Sequence, residues 1–415
     1  MDSLVADLTS ELSKIPVIDP HSHINPLAPV SRSLDDILGY HYYTELAHSS
    51  GMSRAVLSRD TAPRERVREI IRSMTRYDNT VQYAWFVDIT QSFLGFSENR
   101  VTEDNADHVF EVAERIFAQP DWERQVIEKT NLERIFLTNE FDDPLDGFDS
   151  SFYVPCLRTD TLVFHLDKPE TRRRLEAATG VVVRDAGSLR KALAKLFLHF
   201  SRHGAKAAAI SLPPNFHPVP FDDEHFYEQM QFHDFQDLAP GIFWMIAEFC
   251  REFRLPFDLM IGVNRQVYKH GVFQGQDLFD QRTSLLQYKD LFNAFPDVIF
   301  PISVLTSGQN QELVAYSWIF PNVLPNGHWW YSNTPAYIRK DLTERITAVP
   351  KTKLIGYYSD AYKLEFVLPK YAMYRRVLAR VLAEEYVRPG LLSEKDAVAL
   401  GTRLLRDNVR EVFKV

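Results

Sequence analysis

Ile15-Pro16-Val17-Ile18-Asp19-Pro20-His21-Ser22-His23 is the stretch on which the fold and the chemistry of this chain both turn. The β-branched pair Val17-Ile18 predicts a short buried strand. Residues i and i+2 of an extended chain point to the same side, so His21 and His23 can aim both imidazoles at one point. Pro20 removes a backbone donor and keeps Asp19 extended, as where a strand runs out. Two neutral imidazoles at a strand end begin a zinc, manganese or iron site. A bare His-x-His equally fits a plainer arrangement, with one ring in solvent and the other capping a turn, so the rest of the chain has to decide.

Working outward, 415 residues exceed a typical single domain but lie within reach of one barrel with insertions. Hydrophobic content of 45% and charged content of 25% are those of a globular protein, and 29 Phe, 18 Tyr and 6 Trp supply a large core. A net charge of −9 argues against nucleic acid or an acidic membrane as partner, while leaving room for a local arginine pocket that takes an anionic small molecule. Cys156 and Cys250 make no disulfide framework and fit a reducing compartment. Leu4, Leu8 and Leu12 at i, i+4 spacing predict an amphipathic first helix rather than a signal peptide. No apolar run approaches the length of a membrane span, so the expected location is the cytoplasm. Composition leaves a homo-oligomer open.

Residues 24–130 show no strand series. Helical patterns over 34–46, 64–74, 106–117 and 122–130, the last opened by Asp121-Trp122-Glu123, predict a helical insertion subdomain after strand one, inside a single domain of residues 1–415. From residue 131 short β-branched or aromatic runs take over: 134–138, 153–157, 206–212, 257–263, 298–304, 322–326 and 354–358. With 16–19 they make eight. Helices are expected between them at 187–203, 238–253, 283–295, 308–320 and 335–348. Alternating β and α with near-continuous apolar strands predicts the α/β class, and eight repeats predict a (β/α)8 TIM-type barrel. An open doubly wound sheet is the alternative, but no GxGxxG follows any strand. Two extra C-terminal helices, 363–386 and 394–413, carry apolar stripes through Phe366, Tyr371 and Val381 and through Leu400, Leu404 and Val412.

In such a barrel functional side chains sit where strands end. That rule selects His21 and His23 after strand one, Arg158 and Asp160 after strand three, Arg265 after strand five, His328 and Trp329 after strand seven, and Asp360 after strand eight. Strands one and eight are neighbours in a closed barrel, so Asp360 is expected beside the two histidines. A set of two histidines and one carboxylate with open positions suits one catalytic divalent ion: zinc, manganese, iron or nickel. Arg158 and Arg265 offer forks for a carboxylate or phosphate, or else structural pairs with a barrel acid such as Asp160. His41-Tyr42, in the insertion, can close over the site and handle protons, or simply pack in an aromatic core. His217, His225 and His233 lie in a polar loop, 213–237; such length is often functional, but scattered histidines read as surface.

Taken in order, these residues resemble the uronate isomerase family, a branch of the amidohydrolase superfamily of metal-dependent barrels, over nearly the whole chain. The resemblance rests on Asp19-x-His21-x-His23, His41-Tyr42, Asp142-Asp143-Pro144, Leu157-Arg158-Thr159-Asp160, Ile261-Gly262-x-x-Arg265, Gly327-His328-Trp329-Trp330-Tyr331-Ser332-Asn333 and Ser359-Asp360. It implies interconversion of an aldose and a ketose uronate through an enediol-like intermediate. It further implies a metal held by His21, His23 and Asp360, a carboxylate-binding arginine at Arg158 or Arg265, and proton handling near His41, Tyr42 and Asp360. His328, Trp329 and Tyr362 fall where the substrate would lie.

Three departures qualify it. Met260 stands where the family has a histidine at the end of strand five, Ala209 where it has an aspartate after strand four, and Tyr362, followed by Lys363, where it has an arginine. The reading is a divergent isomerase of a uronate or related sugar acid, with a retained metal and a less anionic or differently shaped substrate. The alternatives are a metal-dependent hydrolase or lyase on the same barrel, acting on another small carboxylated substrate, and a non-catalytic binding barrel.

Overall fold

Asp19 ends its strand at Pro20, and the barrel strands that follow pair in parallel. The structure, a computed structural model, describes residues 2–224, 226, 228 and 238–415. In chain order the strands are β1 (Val17–Asp19), β2 (Leu132–Phe136), β3 (Tyr153–Val154), β4 (Cys156–Arg158), β5 (Ala207–Leu212), β6 (Phe257–Ile261), the small hairpin strands β7 (Val263–Asn264) and β8 (Leu278–Phe279), then β9 (Phe300–Val304) and β10 (Val323–Pro325). β1, β2 and β3 pair in parallel, as do β4, β5, β6, β9 and β10 in that spatial order; only β7 and β8 are antiparallel. Pro155 divides the third barrel strand into β3 and β4, since it has no N–H for the ladder. A parallel bridge between Asn139 and Leu157 joins the two groups.

The eighth strand differs from expectation. Instead of a strand over 354–358 there is a single parallel bridge, Asn326 to Ile355. The cause is a diverted donor: the Gly356 N–H goes to Leu404 O at 3.0 Å, in the C-terminal helical segment. A side chain at 356 would put Cβ 2.5 Å from the Tyr374 hydroxyl, so glycine is what allows this approach. Beyond it the ring returns to its start, because the Asp360 N–H donates to His21 O (3.2 Å) and the His23 N–H to Ala361 O (2.8 Å).

The expected helices form at 63–74, 106–117, 122–130, 186–202, 238–253 and 335–348, within a residue or two. The pattern over 34–46 splits into Leu34–Leu38 and His41–Ser49, because Tyr40 is extended and His41 opens a new helix. Over 283–295 only a short turn, Leu285–Tyr288, and Lys289–Ala294 are helical. Val81–Leu94 and Pro169–Thr179 are helices the pattern did not announce. The former is apolar on nearly every side, and so shows no stripe.

Between β1 and β2 the described chain holds helices and no strand. Its core residues Tyr43, Ile70 and Trp85 belong to one cluster with Leu8 and Leu12 of the first helix and Phe366, Tyr371 and Leu378 near the C-terminus, which ties it to the barrel. Outside the sheet, Leu193, Phe197, Phe243 and Ile246 cover Ala208, Ile210 and Leu259. Inside, Ile18, Phe136, Cys156 and Ala207 pack on Val409 and Phe413 of the last helix, Asn408–Phe413. That helix plugs the end where strands begin, leaving the other end for chemistry. Among the described residues no helix is long and apolar enough to cross a membrane. His225 and His233 lie outside the described residues; His217 is exposed.

Candidate metal centre

Three side chains converge where β1 ends. Ser22, between the histidines, donates its hydroxyl to Phe136 O of β2 at 2.7 Å, which pins the segment and leaves both flanking imidazoles directed inward. The rings of His21 and His23 meet edge to face, centroids 5.2 Å apart. Asp360 Oδ1 lies 3.3 Å from His23 Nε2 and 3.7 Å from His21 Nε2. The three ligand atoms lie within 4.8 Å of one another.

This arrangement fits a divalent ion by two independent observations. His21 Nε2 and Asp360 Oδ1 are buried without any hydrogen-bond partner, an expensive condition that a bound cation relieves. Of the two separations, 3.3 Å matches and 3.7 Å slightly exceeds the edge of a tetrahedron with metal–ligand bonds of about 2.0–2.1 Å, which is about 3.3 Å. The tautomers also agree. Thr138 Oγ1 donates to Ser22 O at 3.0 Å and lies 2.7 Å from His23 Nδ1, so Nδ1 carries the proton and Nε2 presents its lone pair. Behind His21, Nδ1 lies 3.5 Å from Asp258 Oδ2, while Asp258 Oδ1 accepts from Asn326 Nδ2 at 3.0 Å.

Electrostatics keep the carboxylate ready. Burial alone would raise the Asp360 pKa, but the two histidines and Lys370 outweigh it and hold it at about 2. Burial lowers His23, whereas for His21 the facing carboxylates Asp258, Asp360 and Asp19 overcome burial and raise it. Asp360 adopts φ +52°, a left-handed conformation that aspartate tolerates better than most side chains. Lys370, fully buried, donates to Ser359 O (2.7 Å) and to the Tyr40 hydroxyl (2.9 Å), which itself donates to Asp360 O (2.8 Å).

Around this centre the structure gathers His41, Tyr42 and Tyr362. The Tyr42 hydroxyl lies 3.5 Å from Asp360 Oδ2, and burial pushes its pKa well above the usual phenol range. Burial pushes His41 down to about 3, which leaves a neutral imidazole 4.3 Å, centroid to centroid, from the Tyr42 ring. Tyr362 packs on His23, ring centroids 4.8 Å apart and tilted by 32°. Trp329 is buried with Met260, Val263 and Tyr358, an apolar patch that meets the site through Tyr358 against His21.

Arg158 and Arg265 line one cavity of about 430 Å3. Each already has an acid: Arg158 Nε donates to Asp160 Oδ2 at 3.3 Å, and Arg265 Nη1 to Asp277 Oδ2 at 2.6 Å. His328 goes elsewhere. It is buried beside Tyr357 and Tyr374, with Nδ1 4.0 Å from Asp341 Oδ2, and so faces the helix layer. Ala209 lies within β5 with its side chain in the barrel core, rather than past the strand end where a functional side chain would project.

Asp258, Lys370 and Tyr40 also belong to the site, though the strand-end rule does not single them out. Asp258 had a visible signal, as the one charge in the apolar run Phe257-Asp258-Leu259-Met260-Ile261. Lys370 had none beyond its place in a helix stripe.

A family profile described as glucuronate isomerase matches residues 5–237. Among known proteins, the uronate isomerase of Corynebacterium efficiens is 23% identical over 452 aligned positions, covering 98% of this chain and 95% of that protein. The uronate isomerase of Thermotoga maritima is 22% identical, with 98% and 96% covered. In three dimensions the chain superposes on the crystal structure of uronate isomerase from Thermotoga maritima with a TM-score of 0.91 at 18% identity, covering 100% of this chain and 98% of that one. For glucuronate isomerase from Caulobacter crescentus the TM-score is 0.90 at 18% identity, covering 99% and 94%. The (β/α)8 fold is shared with these proteins.

Proposed function

This chain belongs to the glucuronate isomerase family, and we propose from that membership and from the site that it interconverts the aldose and ketose forms of a hexuronate or closely related sugar acid. The observation that carries the proposal is the meeting of His21, His23 and Asp360 beside His41 and Tyr42, with Arg158 close enough for its charge to act on His23. His21, His23 and Asp360 would hold the ion; zinc suits two imidazoles and one carboxylate, and manganese, iron and nickel also accept such a set. When bound, it would supply a Lewis acid that steadies the oxyanion of an enediolate.

The rest is work for this chain's own residues. Arg158 and Arg265 receive the substrate carboxylate, and each keeps guanidinium donors beyond those spent on Asp160 and Asp277. Isomerisation moves one proton from C2 to C1 and one hydroxyl proton from O2 to O1, so no atom is gained or lost. Asp360, ionised with its pKa held at about 2, presents Oδ2 as the acceptor for the carbon-bound proton and returns it to the neighbouring carbon. Tyr42, a neutral phenol beside Oδ2, and His41, a neutral imidazole beside Tyr42, hold and pass the hydroxyl proton. Tyr362, Trp329 and Met260 give the rest of the mouth an aromatic and apolar wall, which favours the ring face or a less charged end of the sugar.

The test is to load purified protein with each of the four metals and incubate it with a panel of aldohexuronates, following ketose formation by NMR. Turnover of at least one uronate, abolished by a chelator, is expected. No turnover of any panel member with any metal would overturn the proposal.

A further inference from the structure

We infer that Lys370 is a positioning residue for Asp360, setting the direction of its carboxylate from behind. This rests on the reading of Asp360 as a metal ligand. Asp360 is in a left-handed conformation, at φ +52°, that costs energy in a residue other than glycine and persists only where the surroundings over-determine it. The surroundings do so bond by bond. Its own N–H is held by His21 O (3.2 Å), the Ser359 N–H by Asp19 Oδ1 (2.9 Å) and the Ala361 N–H by Ser359 Oγ (3.1 Å). The two carbonyls flanking its Cα both lead to Lys370. Ser359 O accepts directly from Nζ at 2.7 Å, and Asp360 O accepts from the Tyr40 hydroxyl, which is 2.9 Å from the same Nζ. One ammonium thus anchors the peptide groups on either side of the ligand.

Across space that ammonium also favours the ionised Asp360 carboxylate, but it makes no direct ion pair. Lys370 has no exposed surface, and among the described residues its ammonium is held by a carbonyl and a hydroxyl rather than by a carboxylate. Burying a cation without an ion pair is costly, and fold stability alone would be served as well by an apolar side chain of the same length. Three aromatic faces compensate in part: Nζ lies 5.0 Å from the Tyr40 ring, 5.1 Å from Tyr42 and 4.8 Å from Trp85. Two of those rings come from the helix that begins at His41 or from the residue before it, and the third from the helix Val81–Leu94. Lys370 therefore also registers the insertion, with Tyr42, against the metal ligand.

The test measures the zinc dissociation constant of the full chain by competition with a chromophoric chelator, for wild type, His23→Ala, Lys370→Met, Lys370→Arg and Tyr40→Phe. Lys370→Met keeps the length and loses the donors. It is expected to weaken zinc binding about 10- to 100-fold, the range for outer residues that orient a ligand. Tyr40→Phe, losing one of the two anchors, should weaken it less. Lys370→Arg, retaining charge and donors, should bind more tightly than Lys370→Met, a recovery that a purely packing role would not produce. Should Lys370→Met fail to fold, Tyr40→Phe carries the test, with unchanged affinity overturning the inference. Wild-type affinity in folded Lys370→Met, or Lys370→Arg no better than Lys370→Met, also overturns it. If His23→Ala loses zinc while Lys370→Met does not, only the role of Lys370 fails. If His23→Ala binds as wild type does, the metal reading fails with it.

Discussion

Replacing Glu45 by glutamine is expected to remove a loss of stability that the protein otherwise suffers as pH rises toward 8. Glu45 lies on the helix His41–Ser49, one turn beyond His41 and so on the same face. Its Oε1 is buried without a hydrogen-bond partner, its stem packs on Gly275, and Asp277 lies near enough to oppose a second negative charge. Burial, and secondarily Asp277, raise its pKa from 4.5 to about 8. Because the folded pKa is raised, the folded chain binds the proton more tightly than the unfolded one. The contribution of the neutral carboxyl is therefore complete below about pH 4.5 and is lost as pH rises toward 8. A shift of about 3.5 units at about 1.4 kcal/mol each sets a ceiling of roughly 5 kcal/mol, and local relaxation should leave on the order of 2 kcal/mol. Urea unfolding of metal-free wild type and Glu45→Gln at pH 4.5 and 8.5 measures it. The two proteins should be near equal at the lower pH, with the variant more stable at the higher. An equal difference at both values would refute the argument. The consequence for function is direct, since Asp277 also holds Arg265 and an ionised Glu45 would disturb that pair.

Arg158→Met should raise KM for a uronate about 10- to 100-fold with a smaller change in kcat, as steady-state kinetics would show, because it removes a charge-assisted contact rather than a proton carrier. Tyr362→Arg, which trades the ring contact with His23 for a cation, should raise kcat/KM for aldohexuronates about tenfold; unchanged kinetics would mean that position 362 does not face the substrate. Phe413→Ala, which empties the plug against Phe136, should cost about 3–5 kcal/mol by chemical unfolding while leaving metal content unchanged.

The convergence of His21, His23 and Asp360 was legible because strand ends are. Pro20 marks where β1 stops, and the eight-fold rhythm brings Asp360 back beside it even though the eighth strand is reduced to one bridge at Ile355. The same rule misplaced His328. It follows β10 closely, but its side chain takes the outward side with Tyr357, whereas Tyr358 takes the inward side against His21. Position 209 was misjudged by the register within β5, where two or three residues separate a core side chain from a functional one. Lys370 and Tyr40 act through backbone carbonyls of residues 359 and 360, more than ten positions away or across the insertion, and no local pattern announces such a bond. The helix Val81–Leu94 escaped notice because it is buried on most sides, so its periodicity is erased by the very packing that stabilises it.

Whether the chain binds a divalent ion at His21, His23 and Asp360 is the central question. Elemental analysis of the purified protein, repeated on His23→Ala and Asp360→Asn after identical metal loading and dialysis, tests it most directly. About one divalent ion per chain in the wild type, and its loss from both variants, is the predicted result. Metal retained at wild-type stoichiometry in both variants would contradict it.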